Sequence, residues 1–110
     1  MSDIKQELAA EAVKIVTGAR RAAYGTPEDN FQRIADRWNV NLKNKGCTIL
    51  GPNGMPRALT AHDVWSFMVD MKMARLAETP DHRDSFTDIL GYTLCGAELA
   101  LPDQDTITKS

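Results

Sequence analysis

The stretch "TPDHRDSFTDILGYTLCGAELALP", residues 79–102, is bounded by prolines and repeats its apolar residues at helical spacing. "TPD" breaks the chain, a helix follows from Asp81 or His82 to Leu101, and Pro102 prevents its continuation. At about 100° per residue, Phe86, Ile89, Leu90, Thr93, Leu94 and Ala97 cluster on one face, while Asp84, Asp88, Gly91 and Cys95 lie roughly opposite with Tyr92 on their flank. Two carboxylates one turn apart read either as a solvated face or as a site that uses a cation to hold them. Gly91 and Cys95 are poor choices for an exposed helix face, since glycine costs about 1 kcal/mol against alanine in a helix interior. A small residue there points to the close approach of another helix or a ligand.

The segment before it has the same period. Thr60 followed by Asp63 opens a helix with a capping-box variant, and the pattern continues to about Glu78. Val64, Met68, Met71 and Arg75 fall along one line of its wheel, with Phe67 and Ala74 beside it and Lys72 on the shoulder. Two readings of these basic residues stay open. Their stems lie along the core with the charged heads in water, or they meet an anionic partner, either a carboxylate of the next helix or a bound phosphate.

Further towards the N-terminus, "NKGCTILGPNGMPR" holds three glycines and two prolines, so Lys43–Leu59 reads as a long irregular loop, with room for a short hairpin at "CTIL". A helix with Phe31, Ile34, Ala35, Trp38 and Leu42 as its buried stripe precedes it. Thr26 is its cap, Pro27 its first residue and Glu28 its first-turn acid. The first helix begins near Ser2 or Asp3, carries Ile4, Leu8, Ala12, Ile15 and Ala19 on one face, and ends at "YGTP". The fold class is therefore all-α: a single four-helix bundle-like domain over residues 1–101 with one long Gly/Pro-rich loop, then a polar tail, 102–110, too poor in apolar residues to pack.

Composition narrows the function. The 110 residues are 43% hydrophobic and 25% charged, with a formal charge of −2, the balance of an ordinary globular protein. A chain this size builds one modest core and gains by associating with its own copies, so a homo-oligomer is expected. Thirteen basic residues are scattered among fifteen acids. That is no phosphate-backbone stripe, and no nucleic-acid polymer is expected as partner. No apolar run approaches the roughly 18 residues of a membrane span, and the N-terminus is too polar for a signal peptide; no membrane partner is expected and the location reads as cytoplasmic. Cys47 and Cys95 lack CxxC spacing and suggest neither disulfide nor zinc. His62 and His82 stand at helix starts and read as local hydrogen bonders, Ser85 lacks a nucleophile arrangement, and "GPNG" is a turn rather than a phosphate loop.

Two stretches carry a resemblance: "RRAAYGTPEDNFQRIADRW", residues 20–38, and "HDVWSFMVDMKMARLAETPDHRDSFTDILGYTLCGAEL", residues 62–99. With a YG-x-P-x-x-N-F start, a K-x-x-R-L helix and an H-x-D-S-x-x-D-I-x-G-Y helix, the chain resembles a family of small phage and prophage proteins of unassigned function. More distantly it looks like the nucleotide-modification-associated domains of phages, and more distantly still it is similar to the MazG-like all-α nucleoside triphosphate pyrophosphohydrolases. That last resemblance implies a dimeric helical bundle in which acids of neighbouring helices bind Mg²⁺, which orients a water for attack on a triphosphate. Carried onto this chain, it implies Asp84 and Asp88 as metal ligands and Glu28 or Asp29 completing the catalytic set. Lys72 and Arg75 would meet the phosphates, with Tyr24 and Tyr92 as further substrate contacts. The partner so implied is a nucleotide or nucleotide-derived small molecule, met in the host-cell cytoplasm if the chain is phage-encoded. The sequence departs from the enzymes at two points: "PEDNFQRIAD" lacks their E-x-x-E spacing, and Asp84 to Asp88 is one residue longer than their E-x-x-D. Both departures bear on catalysis more than on ligand binding. Three readings remain: a Mg²⁺-dependent hydrolase, a protein that sequesters a nucleotide such as a defence messenger, or a structural dimerisation module without ligand.

Overall fold

A computed structural model describes residues 3–18 and 25–101. Among the described residues there are four helices, α1 (Ile4–Thr17), α2 (Pro27–Asn44), α3 (Ala61–Glu78) and α4 (Arg83–Ala100), so the all-α expectation holds. Each helix starts where local chemistry satisfies its free N–H groups. The Asp3 carboxylate accepts from Lys5 N–H at 2.9 Å, and Thr26 Oγ1 from Asp29 N–H at 3.2 Å, ahead of Pro27. Asp63 accepts from Thr60 N–H at 2.8 Å. At α4 the imidazole of His82 takes the capping position, accepting from Ser85 N–H at 3.2 Å. α1 ends at Thr17, short of the expected "YGTP" end; Ala19 and Tyr24, like the tail 102–110, lie outside the described residues.

The core is small. Phe31 and Ala35 of α2 meet Ala61 and Val64 of α3 under Leu59, with Ile34, Trp38, Leu42, Met68, Tyr92, Cys95 and Leu99 packed around them. The stripe expected of α2 is thus the buried one. α3 lies between α2 and α4, α2 also touches α4, and among the described helices α1 rests on α4 alone.

The loop between α2 and α3 is built rather than slack. Leu50 and Pro56 form an isolated antiparallel bridge, and Arg57 N–H donates to Ile49 O at 2.9 Å, a miniature hairpin close to the one expected at "CTIL". The half-buried Asn39 amide ties it to α2, donating to Leu59 O at 3.0 Å and accepting from Leu59 N–H at 2.8 Å. Arg57 grips Asp63 with two nitrogens at 2.8 and 3.1 Å, which ties it to α3. This guanidinium holds the Asp63 carboxyl below its ordinary pKa.

Three faces differ from the wheel readings. On α4 the apolar face is the open one: Phe86 is 42%, Leu90 38% and Leu94 41% exposed, while Ser85, Thr87, Gly91 and Gly96 are buried. The reason is that α4 is approached from two sides by its own chain, and both approaches use small residues. Val16 of α1 lies over Gly91 and the Trp65 indole of α3 over Gly96. On α3 the core side is set by Ala61 and Val64, so Phe67 and Met71 are exposed, although Phe67 stacks on Trp38 with ring centroids 6.0 Å apart. On α1 only Ala12 is buried, and Ile4 and Ile15 are exposed, because one neighbouring helix covers too little of it.

Candidate functional site

The H-x-D-S-x-x-D segment sits where α4 leaves its cap. Asp84 and Asp88, one turn apart, line an open cavity of about 420 Å³ together with Thr87 of α4 and Glu11, Lys14 and Ile15 of α1. Ile15, Thr87 and Asp88 are shared with a smaller pocket of about 40 Å³, which Val16, Phe31, Gly91, Tyr92 and Cys95 close. The two form one cleft, polar at its mouth and apolar at its end, where Tyr92 packs against Phe31 with ring centroids 6.3 Å apart. Gly91 and Cys95 therefore stand where the small-residue argument placed them, beside a close helix approach.

The basic residues of α3 reach α4. Lys72 Nζ lies 3.1 Å from the Asp88 carboxylate, with both side chains about one-third exposed. Arg75 Nη2 lies 3.5 Å from His82 Nε2, and His82 Nδ1 is 2.8 Å from the hydroxyl of the buried Ser85. His82 is thus a helix-capping group and His62 a local hydrogen bonder, its Nδ1 accepting from Trp65 Nε1–H at 3.1 Å, as their positions at helix starts suggested. Of the two readings of Lys72, the carboxylate of the next helix is the one the geometry meets.

Further polar contacts join α1 to α4 beside the cleft. Arg83 donates to Glu11 at 2.6 Å and lies 3.7 Å from Glu7, and Thr87 donates to the other Glu11 oxygen at 3.2 Å. The Arg83 hydrogen bond holds the Glu11 carboxyl below its ordinary pKa against the opposing effect of partial burial. Nothing in the sequence pairs residues 72 positions apart, so this clasp had no local signal.

Among the described residues no group of three or more His, Cys, Asp or Glu side chains comes close enough to hold a metal ion. Asp88 already faces Lys72 and Glu11 faces Arg83. Glu28 and Asp29 occupy the exposed first turn of α2 and are not among the residues lining the cleft. Tyr24 lies outside the described residues. Cys47 and Cys95 form no disulfide, and no described helix is long and apolar enough to cross a membrane.

Comparison with known proteins places this architecture among phage proteins. The chain is 33% identical over 92 residues to the Gene 55 protein of Mycobacterium phage D29, covering 84% of this chain and 52% of that protein. Against the Gene 55 protein of Mycobacterium phage L5 it is 29% identical over 98 residues, covering 89% and 55%. The chain thus spans about half the length of these relatives. No solved structure matches it. Residues 7–100, nearly all of α1 and the whole of the other three helices, match the model of a domain of unknown function, DUF6378, and the chain belongs to that family.

Proposed function

We propose that this phage-family protein binds a nucleotide or nucleotide-derived phosphate compound in the α1–α4 cleft and holds it without hydrolysis. The observation that carries this reading is the Lys72–Asp88 pair at 3.1 Å. A lysine ammonium faces Asp88, one of the two aspartates that the MazG resemblance would make metal ligands. An ammonium neutralises phosphate charge, but it has no open coordination site from which to activate a water. Phosphate oxygens compete with Asp88 for Lys72 and engage Arg75 at the α4 start, while the mouth of about 420 Å³, rather than the apolar end of about 40 Å³, has room for a ring. Because Asp88 faces Lys72 and Glu11 faces Arg83, a Mg²⁺ ion would have to compete with these side-chain cations for its carboxylate ligands.

The test is incubation of the purified chain with canonical, modified and cyclic nucleotides, with and without Mg²⁺. The free pool is chromatographed before and after heat denaturation. A nucleotide that leaves the free pool without metal and returns intact on denaturation is the expected result, with binding weakened in Lys72→Ala and Arg75→Ala. Conversion to monophosphate and pyrophosphate only with Mg²⁺ would replace sequestration by hydrolysis, and an untouched panel would leave the fold with a structural role.

A further inference from the structure

The open face of α4 has an internal grading. From Phe86 through Ile89, Leu90, Thr93, Leu94 and Ala97 to Ala100 it carries no ionisable side chain, and its bulk falls from the N-terminal half to the C-terminal half. Arg83, next to its start, is drawn aside to Glu11 and Glu7. Phe86, Leu90 and Leu94 are 42%, 38% and 41% exposed, although α1 and α3 already flank this helix. Within one chain Phe86, Leu90 and Leu94 are left facing water, while Gly91 and Gly96 are taken up by the close approach of Val16 and Trp65.

We infer that a second copy of this chain covers the stripe, through an antiparallel α4–α4 pairing with its two-fold axis near Thr93. Self-complementarity argues for this occupant. A two-fold axis brings the same surface onto itself, so a suitable face must not repel itself and must offer hollows for its own protrusions. The absence of charge meets the first condition. The grading meets the second: an antiparallel pairing about Thr93 sets Phe86 against Ala100 of the second copy and Ile89 and Leu90 against Ala97, bulk into hollow along both arms. Thr93 and Ala97, both short, permit helix axes roughly 8–10 Å apart. The cleft with Asp84 and Asp88 opens on another side of α4, so this pairing does not depend on the nucleotide reading and leaves the cleft accessible.

Sedimentation of the full chain across a range of concentrations tests the proposal. The expected result is a concentration-dependent dimer whose Kd rises by roughly a hundredfold or more in Leu90→Glu, because the new carboxylate is buried without a partner at the seam. Unchanged helical circular dichroism in that variant separates loss of pairing from loss of fold. Thr93→Cys, in a Cys47→Ser, Cys95→Ser background, supplies the second measurement, since the axis brings the two new thiols into disulfide reach. A covalent dimer on mild oxidation is expected from that variant and none from a cysteine at exposed Val40. A wild-type chain monomeric at every concentration overturns the proposal, as does a dimer indifferent to Leu90→Glu or a Thr93→Cys chain that never cross-links.

Discussion

Replacing Gly96 by alanine tests the α3–α4 packing at its tightest point. A Cβ at this position would lie 2.7 Å from Trp65 Nε1 and nearer still to the indole carbons Cδ2 and Cε2. The ring is not free to retreat, because its N–H is committed to His62 Nδ1 at 3.1 Å and the two rings meet edge to face at 5.4 Å. Overpacking of this kind costs about 1–3 kcal/mol, and a constrained aromatic puts Gly96→Ala at the upper end. Helix propensity returns about 1 kcal/mol for glycine to alanine. The net expectation is a loss of about 1–2 kcal/mol. Gly91 is the control on the same helix: its added Cβ would meet only Val16 Cγ1, at 3.4 Å, and a single methyl can yield. Gly91→Ala should therefore be neutral or stabilising by up to about 1 kcal/mol, the propensity gain. Urea unfolding followed by circular dichroism measures both, and each kcal/mol corresponds to about 4–8 °C in Tm for a domain near this size. A Gly96→Ala chain as stable as the wild type, or a Gly91→Ala chain less stable than Gly96→Ala, would refute the reasoning.

Three further substitutions test what holds the elements together. Asn39→Ala strips both hydrogen bonds from the buried Leu59 backbone and should cost about 1–3 kcal/mol in the same unfolding experiment. Because Arg57 lowers the Asp63 pKa in the folded chain, the stability from this pair is fully present above the ordinary carboxylate pKa of about 4. It is lost as pH falls through the lowered folded value. Asp63→Asn should remove that part of the acid limb in a pH series of melts, and an unchanged limb would count against the pairing. Arg83→Ala releases Glu7 and Glu11, and since among the described helices α1 touches only α4, faster hydrogen exchange should be confined to α1. Equal acceleration in α2 would contradict the independence of that helix.

The helix starts were legible because capping is local: Asp3, Thr26 with Pro27, Thr60 with Asp63, and His82 each act within three residues of themselves. The orientation of the helices was not legible, because a wheel finds the most apolar face and assumes that the chain's own core lies there. For α2 the assumption is right, and Phe31, Ala35 and their neighbours are inside. For α4 it fails because neighbours on two sides select small residues for close approach, a choice visible in Gly91 and Gly96 only once the neighbours are known. The candidate site divides in the same way. K-x-x-R and D-x-x-x-D carried enough chemistry to mark Lys72, Arg75, Asp84 and Asp88, and the structure brings Lys72 onto Asp88 and opens a cleft beside both aspartates. The α1 wall of that cleft, Glu11 with Lys14 and Ile15, depends on a contact across most of the chain that no local pattern encodes.

That division has a physical consequence for α4. Gly91, Gly96 and Asp88 meet the chain's own helices beside Tyr92, Cys95 and Leu99, while Phe86, Leu90 and Leu94 face outward. The helix thus meets its own chain by close backbone approach, by ion pairing and by packing Tyr92, Cys95 and Leu99 on the core. In the proposed pairing, the hydrophobic gain of Phe86, Leu90 and Leu94 comes with association. A substitution on the outer stripe should therefore change the concentration dependence of Tm more than Tm itself at low concentration, whereas a substitution at Gly96 should shift Tm equally at all concentrations. Melting wild type, Leu90→Glu and Gly96→Ala at two protein concentrations separates these effects. A wild-type Tm independent of concentration would contradict the assignment of the stripe to an intermolecular role.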